Sequence, residues 1–323
     1  MEVTQGGSGK VTAVVIVVLV VAAAATLYTF SNLRNPTNDD GTDTPIVGVD
    51  DPIRIISDSD FAEQAEVKGW LGNGTQSDPY VIENLSIVSS IYCIEIRSVE
   101  AVFVIRNCAL RTTDTNGRAL YLSEAHEATV SGCRTEGSLS GIELFQCERC
   151  SVQDCKVKYS CLGINASISP ETRISGNTVG NCTFGITLCG SNLTDICNNT
   201  VYHNEWGVMA WSSHGCHLDG NNVTENGNGI ELQIGCVNWT VTRNDVLYNS
   251  GIGLKTYSDT SGIVTYDNRM GWNEGSNAWD DCVSNSWDDG VSRGNSWSDY
   301  SGSGLYMIPG SSNSTDHYPS VLV

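Results

Sequence analysis

His214, Cys216 and His217 form the chain's one close cluster of histidine and cysteine. Imidazole nitrogen and cysteine sulfur are ligand types that suit copper, so one hypothesis is a copper site at these residues. The alternative is a solvated turn, since none of the four methionines lies beside the cluster. We expect no cofactor; copper here, or calcium bound by carboxylates elsewhere, are the alternatives.

Polysaccharide lyases and hydrolases need carboxylates that cluster on one face, as an acid–base pair or a calcium site. Glu143 and Glu231 take the same position in a repeat described below, but four repeats apart. That places them about 19 Å from each other on the strand spacing of a stacked sheet. We therefore assign no catalytic residue and expect no turnover. A lyase or hydrolase that uses loop carboxylates is the alternative.

Aromatic side chains are the candidate ligand-binding groups, because their faces can stack on sugar rings. The alternative is that they are isolated surface aromatics that shield a sheet. These candidates are Tyr121, Phe145, Trp211 and Trp239.

A period of 22 residues positions all of these groups. The phrase Gly-Ile-x-Leu, or a close variant, recurs at this period, and a second position carries Asn at a similar one. The phrase begins at Gly141, Gly163, Gly185, Gly207, Gly229 and Gly251, and the second position holds Asn177, Asn199, Asn221 and Asn244.

Each repeat contains period-2 apolar pairs separated by turn residues, which indicates three short strands. Strands this short can bury their apolar faces only by stacking on the equivalent strands of the next repeat. The pattern predicts an all-β right-handed parallel β-helix of about nine coils over residues 81–282. The recurring Asn is expected at a corner, bonded to the backbone and to the next amide, and Gly at a tight bend.

The 13 cysteines suit an oxidising exterior, and their odd number leaves at least one thiol unpaired. Cys108, Cys133 and Cys155 occupy the corner-Asn column, so we expect them to pack inward. Stacked neighbours about 4.8 Å apart could also bridge. Cys147 and Cys150 are a lone CxxC, for which Cys155 and Cys161 supply a second zinc pair only loosely.

Residues 11–30 are uncharged and apolar, about 30 Å as a helix, and Lys10 precedes them. We predict a single-pass transmembrane anchor with residues 1–10 in the cytoplasm and the body outside. A cleaved signal peptide is the alternative. Residues 31–51 are predicted to be a linker, and residues 52–80 an N-terminal cap.

The formal net charge is −20, and no basic stripe exists, which excludes nucleic-acid binding by phosphate neutralisation. Nine N-x-S/T sequons are predicted glycosylation sites in an exported chain. They begin at Asn73, Asn84, Asn165, Asn181, Asn192, Asn198, Asn222, Asn238 and Asn313.

The C-terminal region, 283–323, begins after Trp279-Asp280-Asp281 and contains Trp287-Asp288-Asp289 and Trp297-Ser-Asp-Tyr300. These motifs predict a cap whose tryptophans cover the last coil while the aspartates face water. A cation or glycan site is the alternative.

The repeat resembles that of the NosD-type and carbohydrate-binding β-helix superfamily. Segments resembling archaeal surface β-helix proteins flank it: Pro52-Ile-Arg-Ile55, Gly69-Trp70-Leu-Gly72 and Asp78-Pro79-Tyr80 before, and Gly294-Asn295-Ser-Trp297 and Asp316-His-Tyr318-Pro319 after. The resemblance implies an exported, envelope-associated β-helix and adds copper binding as a role for the His214 cluster.

We therefore predict a membrane-anchored cell-surface β-helix that acts as a non-catalytic adhesion or envelope module. Its expected partners are the membrane, through the anchor, and glycans or other envelope proteins. A polysaccharide-active enzyme and a copper accessory protein are the alternatives.

Overall fold

The computed structural model describes residues 44–257 and 259–323. The predicted anchor, residues 11–30, lies outside these ranges, as do residues 1–10 and the linker up to residue 43. Within the described ranges, no helix is both long and apolar enough to cross a membrane.

The chain winds into a parallel β-helix with three stacked sheets, which confirms the predicted fold. Sheet I contains nine strands: Tyr80–Glu83, Phe103–Arg106, Thr129–Ser131, Ser151–Gln153, Arg173–Ser175, Asp195–Cys197, His217–Asp219, Thr240–Thr242 and Val264–Tyr266.

Sheets II and III meet at a corner that two long strands, Arg134–Phe145 and Lys156–Ser167, pass through. Sheet II also contains Ser86–Ser89, Ala109–Thr112, Thr178–Gly180, Thr200–Tyr202, Asn222–Thr224, Asp245–Leu247, Arg269–Gly271, Ser296–Trp297 and Ser320–Val321. Sheet III also contains Ile53–Ile55, Tyr92–Val99, Arg118–Ala125, Phe184–Cys189, Trp206–Trp211, Asn228–Gln233, Ile252–Thr256 and Ser276–Asp280. A short antiparallel pair, Tyr306–Met307 and Thr315–Asp316, completes the strands of the described residues.

The described residues make about 11 turns, so the prediction of nine coils was too low. Both ends of the chain add strands to the stack. Ile53–Ile55 pairs with Tyr92–Val99 before the predicted first coil, and Ser296–Trp297 and Ser320–Val321 extend sheet II beyond residue 282.

The register departs from 22 residues in the last turns. Ile186 pairs with Val208 and then Ile230 at that interval, but Ile230 pairs with Leu254, 24 residues on. The repeat glycine that follows Gly229 is therefore Gly253, and the assignment of Gly251 was wrong.

The repeat glycines are required by close approach of the backbone rather than by a tight bend. A Cβ on Gly163 would lie 2.4 Å from the carbonyl oxygen of Gly185, and one on Gly229 would lie 2.3 Å from that of Gly253. Any side chain at these positions would push successive turns apart.

The corner asparagines form a ladder inside the rod, as predicted. Asn177 Nδ2 donates to the Val152 carbonyl and to Asn199 Oδ1, both at 2.9 Å, and Asn199 repeats the pattern with Asn221. Buried amides are thereby satisfied along the axis. Asn244, Asn268 and Asn295 continue this ladder.

The N-terminal end is covered by helix α1, Asp58–Lys68, which begins at the N-cap Ser57 and ends at Gly69 in the left-handed conformation. Its Phe61 is fully buried and stacks on Tyr80 with ring centroids 4.6 Å apart.

The C-terminal tryptophans Trp287 and Trp297 are buried as a cap. Their indole nitrogens donate at 2.9 Å to Asp280 and Asp316, respectively. The expectation that the tail aspartates face water is wrong for Asp280 and Asp288, which are 0% and 4% exposed, because each accepts hydrogen bonds within the cap.

Candidate functional site

The structure does not bring the predicted copper ligands together. Cys216 points into the core, where its thiol donates to the Ser191 carbonyl, whereas His217 lies on the outer face of sheet I and contacts Asp195 at 2.9 Å. Successive residues of a strand point to opposite faces, so these two cannot share a metal ion. No group of three His, Cys, Asp or Glu in the described part of the chain could hold a metal ion. All five histidines and 13 cysteines lie in that part.

The loose zinc set is divided in the same way. Cys147, Cys150 and Cys155 are in the interior core, whereas Cys161 belongs to an apolar cluster on the outer face of sheet III. Burial keeps most of the thiols protonated: it raises the pKa of Cys182 and of Cys216 to about 12. Interior cysteines therefore act as packing residues.

Of the four predicted ligand-binding aromatics, Trp239 is a core residue. It is fully buried, and its indole nitrogen donates to the Ser213 carbonyl at 2.7 Å. Residue 239 occupies the same inward position as Cys216 one turn earlier, because His217 pairs with Thr240. Tyr121, Phe145 and Trp211 all lie on the outer face of sheet III.

The outer face of sheet III begins with charged residues, which we call the charged section: Glu95, Arg97, Arg118, Tyr121 and Glu143. Glu95, Tyr121 and Glu143 occupy three successive turns in register. The two carboxylates are therefore about 10 Å apart, with the tyrosine between them.

Both carboxylates are held by arginines. Glu95 accepts from Arg54 Nε at 2.8 Å and contacts Arg97 Nη2 at 2.5 Å. Glu143 accepts from Arg118 Nε at 2.7 Å and from the Ser140 hydroxyl at 2.6 Å.

The Tyr121 ring carries both arginine side chains of the section. The guanidinium carbons of Arg97 and Arg118 lie 4.9 and 5.4 Å from its centroid. These are cation–π distances, so the ring already has partners in the free protein. Burial raises the pKa of Tyr121.

Further along the same face lies the aromatic section: Phe184, Trp206, Met209 and Trp211. Phe184 and Trp206 stack at 4.9 Å, and all four belong to one apolar cluster. Trp206 is partly exposed, whereas the other three are 5–8% exposed.

Above the aromatic section, Glu231 accepts from uncharged donors. Its Oε2 accepts from Gln233 at 2.6 Å and from the Tyr257 hydroxyl at 3.3 Å. Gln233 in turn accepts from the Trp211 indole at 3.1 Å. Glu231 is four turns from Glu143, as the repeat predicted.

An exposed aromatic pair, Tyr248 and Trp272, stands at the corner between sheets II and III, where the sequence reasoning did not look. The rings stack at 5.0 Å with an interplanar angle of 8°, and the residues are 54% and 43% exposed. Both have left-handed backbones, with φ of 57° and 54°. A sequence signal exists, because each directly precedes a corner asparagine, Asn249 or Asn273.

The predicted glycosylation sites differ in access. Asn165 is 8% exposed on sheet III, and its side-chain oxygen accepts from the Thr187 hydroxyl at 2.8 Å. Asn181 is half-buried, and the other seven sequon asparagines are exposed.

A family model described as periplasmic copper-binding protein (NosD) matches residues 54–215 and 105–302. A search of curated proteins found no match. Among solved structures, the chain is similar to the A-module of the Azotobacter vinelandii mannuronan C-5 epimerase AlgE4. The TM-score is 0.55 with 16% identity, over 72% of this chain and 70% of that one. The A-module of AlgE6 from the same organism gives 0.55 with 17% identity, over 72% and 69%. At these identities the likeness shows the fold.

Proposed function

Because the chain belongs to the NosD family, we propose that it is an exported β-helix protein that binds glycan chains without cleaving them. The binding surface comprises the outer face of sheet III and the adjoining Tyr248–Trp272 corner. Export agrees with the family's description as periplasmic and with the apolar segment 11–30, which would anchor the body outside the membrane.

The Tyr248–Trp272 pair carries this proposal. A bulky residue with positive φ is an outlier that costs about 1 kcal/mol or more, and here two successive turns accept it. The strained backbone displays two flat apolar rings to solvent instead of burying them. Exposed aromatic faces of this kind suit the apolar faces of sugar rings.

The charged section supports binding rather than turnover. A general acid or base must have a carboxylate that can give or take a proton at the substrate. Glu95 and Glu143 are each bound by an arginine at 2.7–2.8 Å, which holds them as ionised partners of guanidinium groups.

Copper does not enter the proposal, because the residues present do not fit it. Cys216 and His217 point to opposite sides of one strand, and the interior thiols hold their protons. The family's printed role in copper binding is therefore not carried over to this chain.

Affinity electrophoresis of the full chain tests the proposal, with mannuronan and a neutral glucan as probes. We expect retardation by at least one polymer, and about tenfold weaker binding for Trp272→Ala, about 1.4 kcal/mol. Tyr318→Ala is the matched control, because Tyr318 is 41% exposed on the C-terminal cap, away from the surface.

Two outcomes would contradict the proposal. Neither polymer retards the wild-type chain, or Trp272→Ala and Tyr318→Ala bind equally well. Release of unsaturated products or new reducing ends from a probe would favour the enzyme alternative instead.

A further inference from the structure

The charged section contains one hydrogen-bond donor and one acceptor without partners. Glu95 Oε1 and Arg97 Nε are both buried and lack a hydrogen-bond partner among the described residues. Oε1 contacts Arg97 Nη2 as an ion pair, which does not satisfy it as an acceptor in hydrogen-bond geometry. Buried polar atoms of native proteins normally have partners, so this pair points to a missing one.

The two atoms lie side by side on the outer face. Residues 95 and 97 alternate with the inward Ile96 on strand Tyr92–Val99, so both side chains leave the sheet on the same side. The Glu95 side chain is 3% exposed, whereas Arg97 is 40% exposed and can move aside for a ligand.

The surroundings are close to electrically neutral. Three arginines, Arg54, Arg97 and Arg118, face Glu95 and Glu143. A third carboxylate, Glu124, accepts from Ser98 at 2.7 Å on the adjoining corner. Three positive and three negative groups give a charged ligand no net attraction.

We propose that Glu95 and Arg97 form a subsite for a hydroxyl group of an uncharged sugar unit; this rests on the proposed glycan binding. The hydroxyl accepts from Arg97 Nε and donates to Glu95 Oε1, which satisfies both atoms. A sugar carboxylate offers only acceptors and would be repelled by Glu95. An ammonium group offers only donors and would leave Arg97 Nε unpaired.

Isothermal titration of the full chain with dextran, a neutral glucan, and with mannuronan tests this subsite. Arg97→Lys keeps the positive charge and removes the Nε donor. We expect it to weaken dextran binding about tenfold, about 1.4 kcal/mol. The wild-type affinity should change little between about 0.05 M and about 0.5 M NaCl. Arg173→Lys is the control, because Arg173 is also outward and paired with a carboxylate, on sheet I.

Glu95→Gln tests the acceptor independently of whether Arg97→Lys folds, as judged from its thermal melt. It retains an oxygen acceptor but loses the charge-assisted bond, so we expect about threefold weaker dextran binding. Dextran binding that neither variant changes would overturn the subsite alone. Tighter, salt-sensitive binding of mannuronan would replace it with an anion site. If the wild type binds neither polymer, the glycan-binding proposal fails together with it.

Discussion

The rod has two halves that use the same backbone for different chemistry. The lower half, from Tyr92–Val99 to Arg134–Phe145, carries the charged section on the outer face of sheet III. The upper half, from Phe184–Cys189 to Ile252–Thr256, carries the aromatic section and the neutral hydrogen bonds of Glu231. Because parallel strands form the same backbone bonds in every turn, each outward column can change its chemistry without altering the fold.

The interior changes at the same level. The corner column holds Cys108, Cys133 and Cys155 in the lower half and its junction, and asparagines from Asn177 onward. The Cys133 thiol reaches the Ile105 carbonyl only at 3.8 Å, whereas the Asn199 amide bonds the Ile174 carbonyl at 2.9 Å. The upper half is thus stabilised by a polar ladder, and the lower half by packing.

The largest expected effect is that of breaking the ladder. Asn199→Ala removes bonds to Asn177, Asn221 and the Ile174 carbonyl and leaves their buried groups unsatisfied. We expect a loss of about 4 kcal/mol in the free energy of unfolding, measured by urea denaturation. Asn222→Ala, an exposed position on sheet II, is the control. A loss similar to the control's would show that the ladder adds nothing to packing.

Alkaline pH should act on the cysteine column. The Cys108 thiol lowers the pKa of Cys133, but the Cys155 thiol and burial raise it to about 12. The unfolded thiol has a pKa of about 8.5, so above that pH the unfolded state binds fewer protons than the folded state. Stability is then lost at about 1.4 kcal/mol per pH unit per thiol, until the folded pKa is reached.

The measurement compares urea unfolding of the wild type and Cys133→Ala at pH 7.5 and pH 10. We expect the variant to lose about 2 kcal/mol less than the wild type over this interval. Equal losses would indicate that the thiol already ionises in the folded rod.

The period, the stacked strands and the amide ladder were predictable because they follow from repeated residue types at one spacing. Gly251 was misassigned for a physical reason. Extra residues lengthen the turn to 24, but Gly251 itself preserves the 22-residue spacing, and the hydrogen-bond register follows Gly253. Sequence spacing identifies a column but not which of two nearby glycines fills it.

The site was less predictable. Trp239 was assigned to the surface because sequence alone did not show that the position before each sheet I strand points inward. Glu95, Tyr121 and Glu143 were visible as one column, but Arg97 and Arg118 lie in neighbouring columns whose register only the fold defines. The exposed Tyr248–Trp272 pair depends on corner geometry that no periodicity expresses.

Extending the ladder downward should have a smaller, opposite effect. Cys155→Asn would place an amide where Asn177 Oδ1 can accept from it and where the Val130 carbonyl now receives only a thiol contact at 3.8 Å. We expect a gain of about 1 kcal/mol in urea unfolding, the net value of one additional hydrogen bond. A loss instead would mean that the lower half packs too tightly for an amide, and that the two interiors are not interchangeable.

The smallest effect compares one outward glutamate from each half. Glu143→Gln breaks an ion pair with Arg118, and Glu231→Gln alters bonds to the neutral Gln233 and Tyr257. Each should cost about 0.5–1 kcal/mol in low salt, because partly exposed pairs contribute little. In about 0.5 M NaCl, screening weakens the ion pair but not the neutral bonds, so only the Glu143→Gln loss should shrink. If both losses shrink equally, the two sections are held by the same electrostatics, and the division of the outer face into a charged and an aromatic section has no energetic basis.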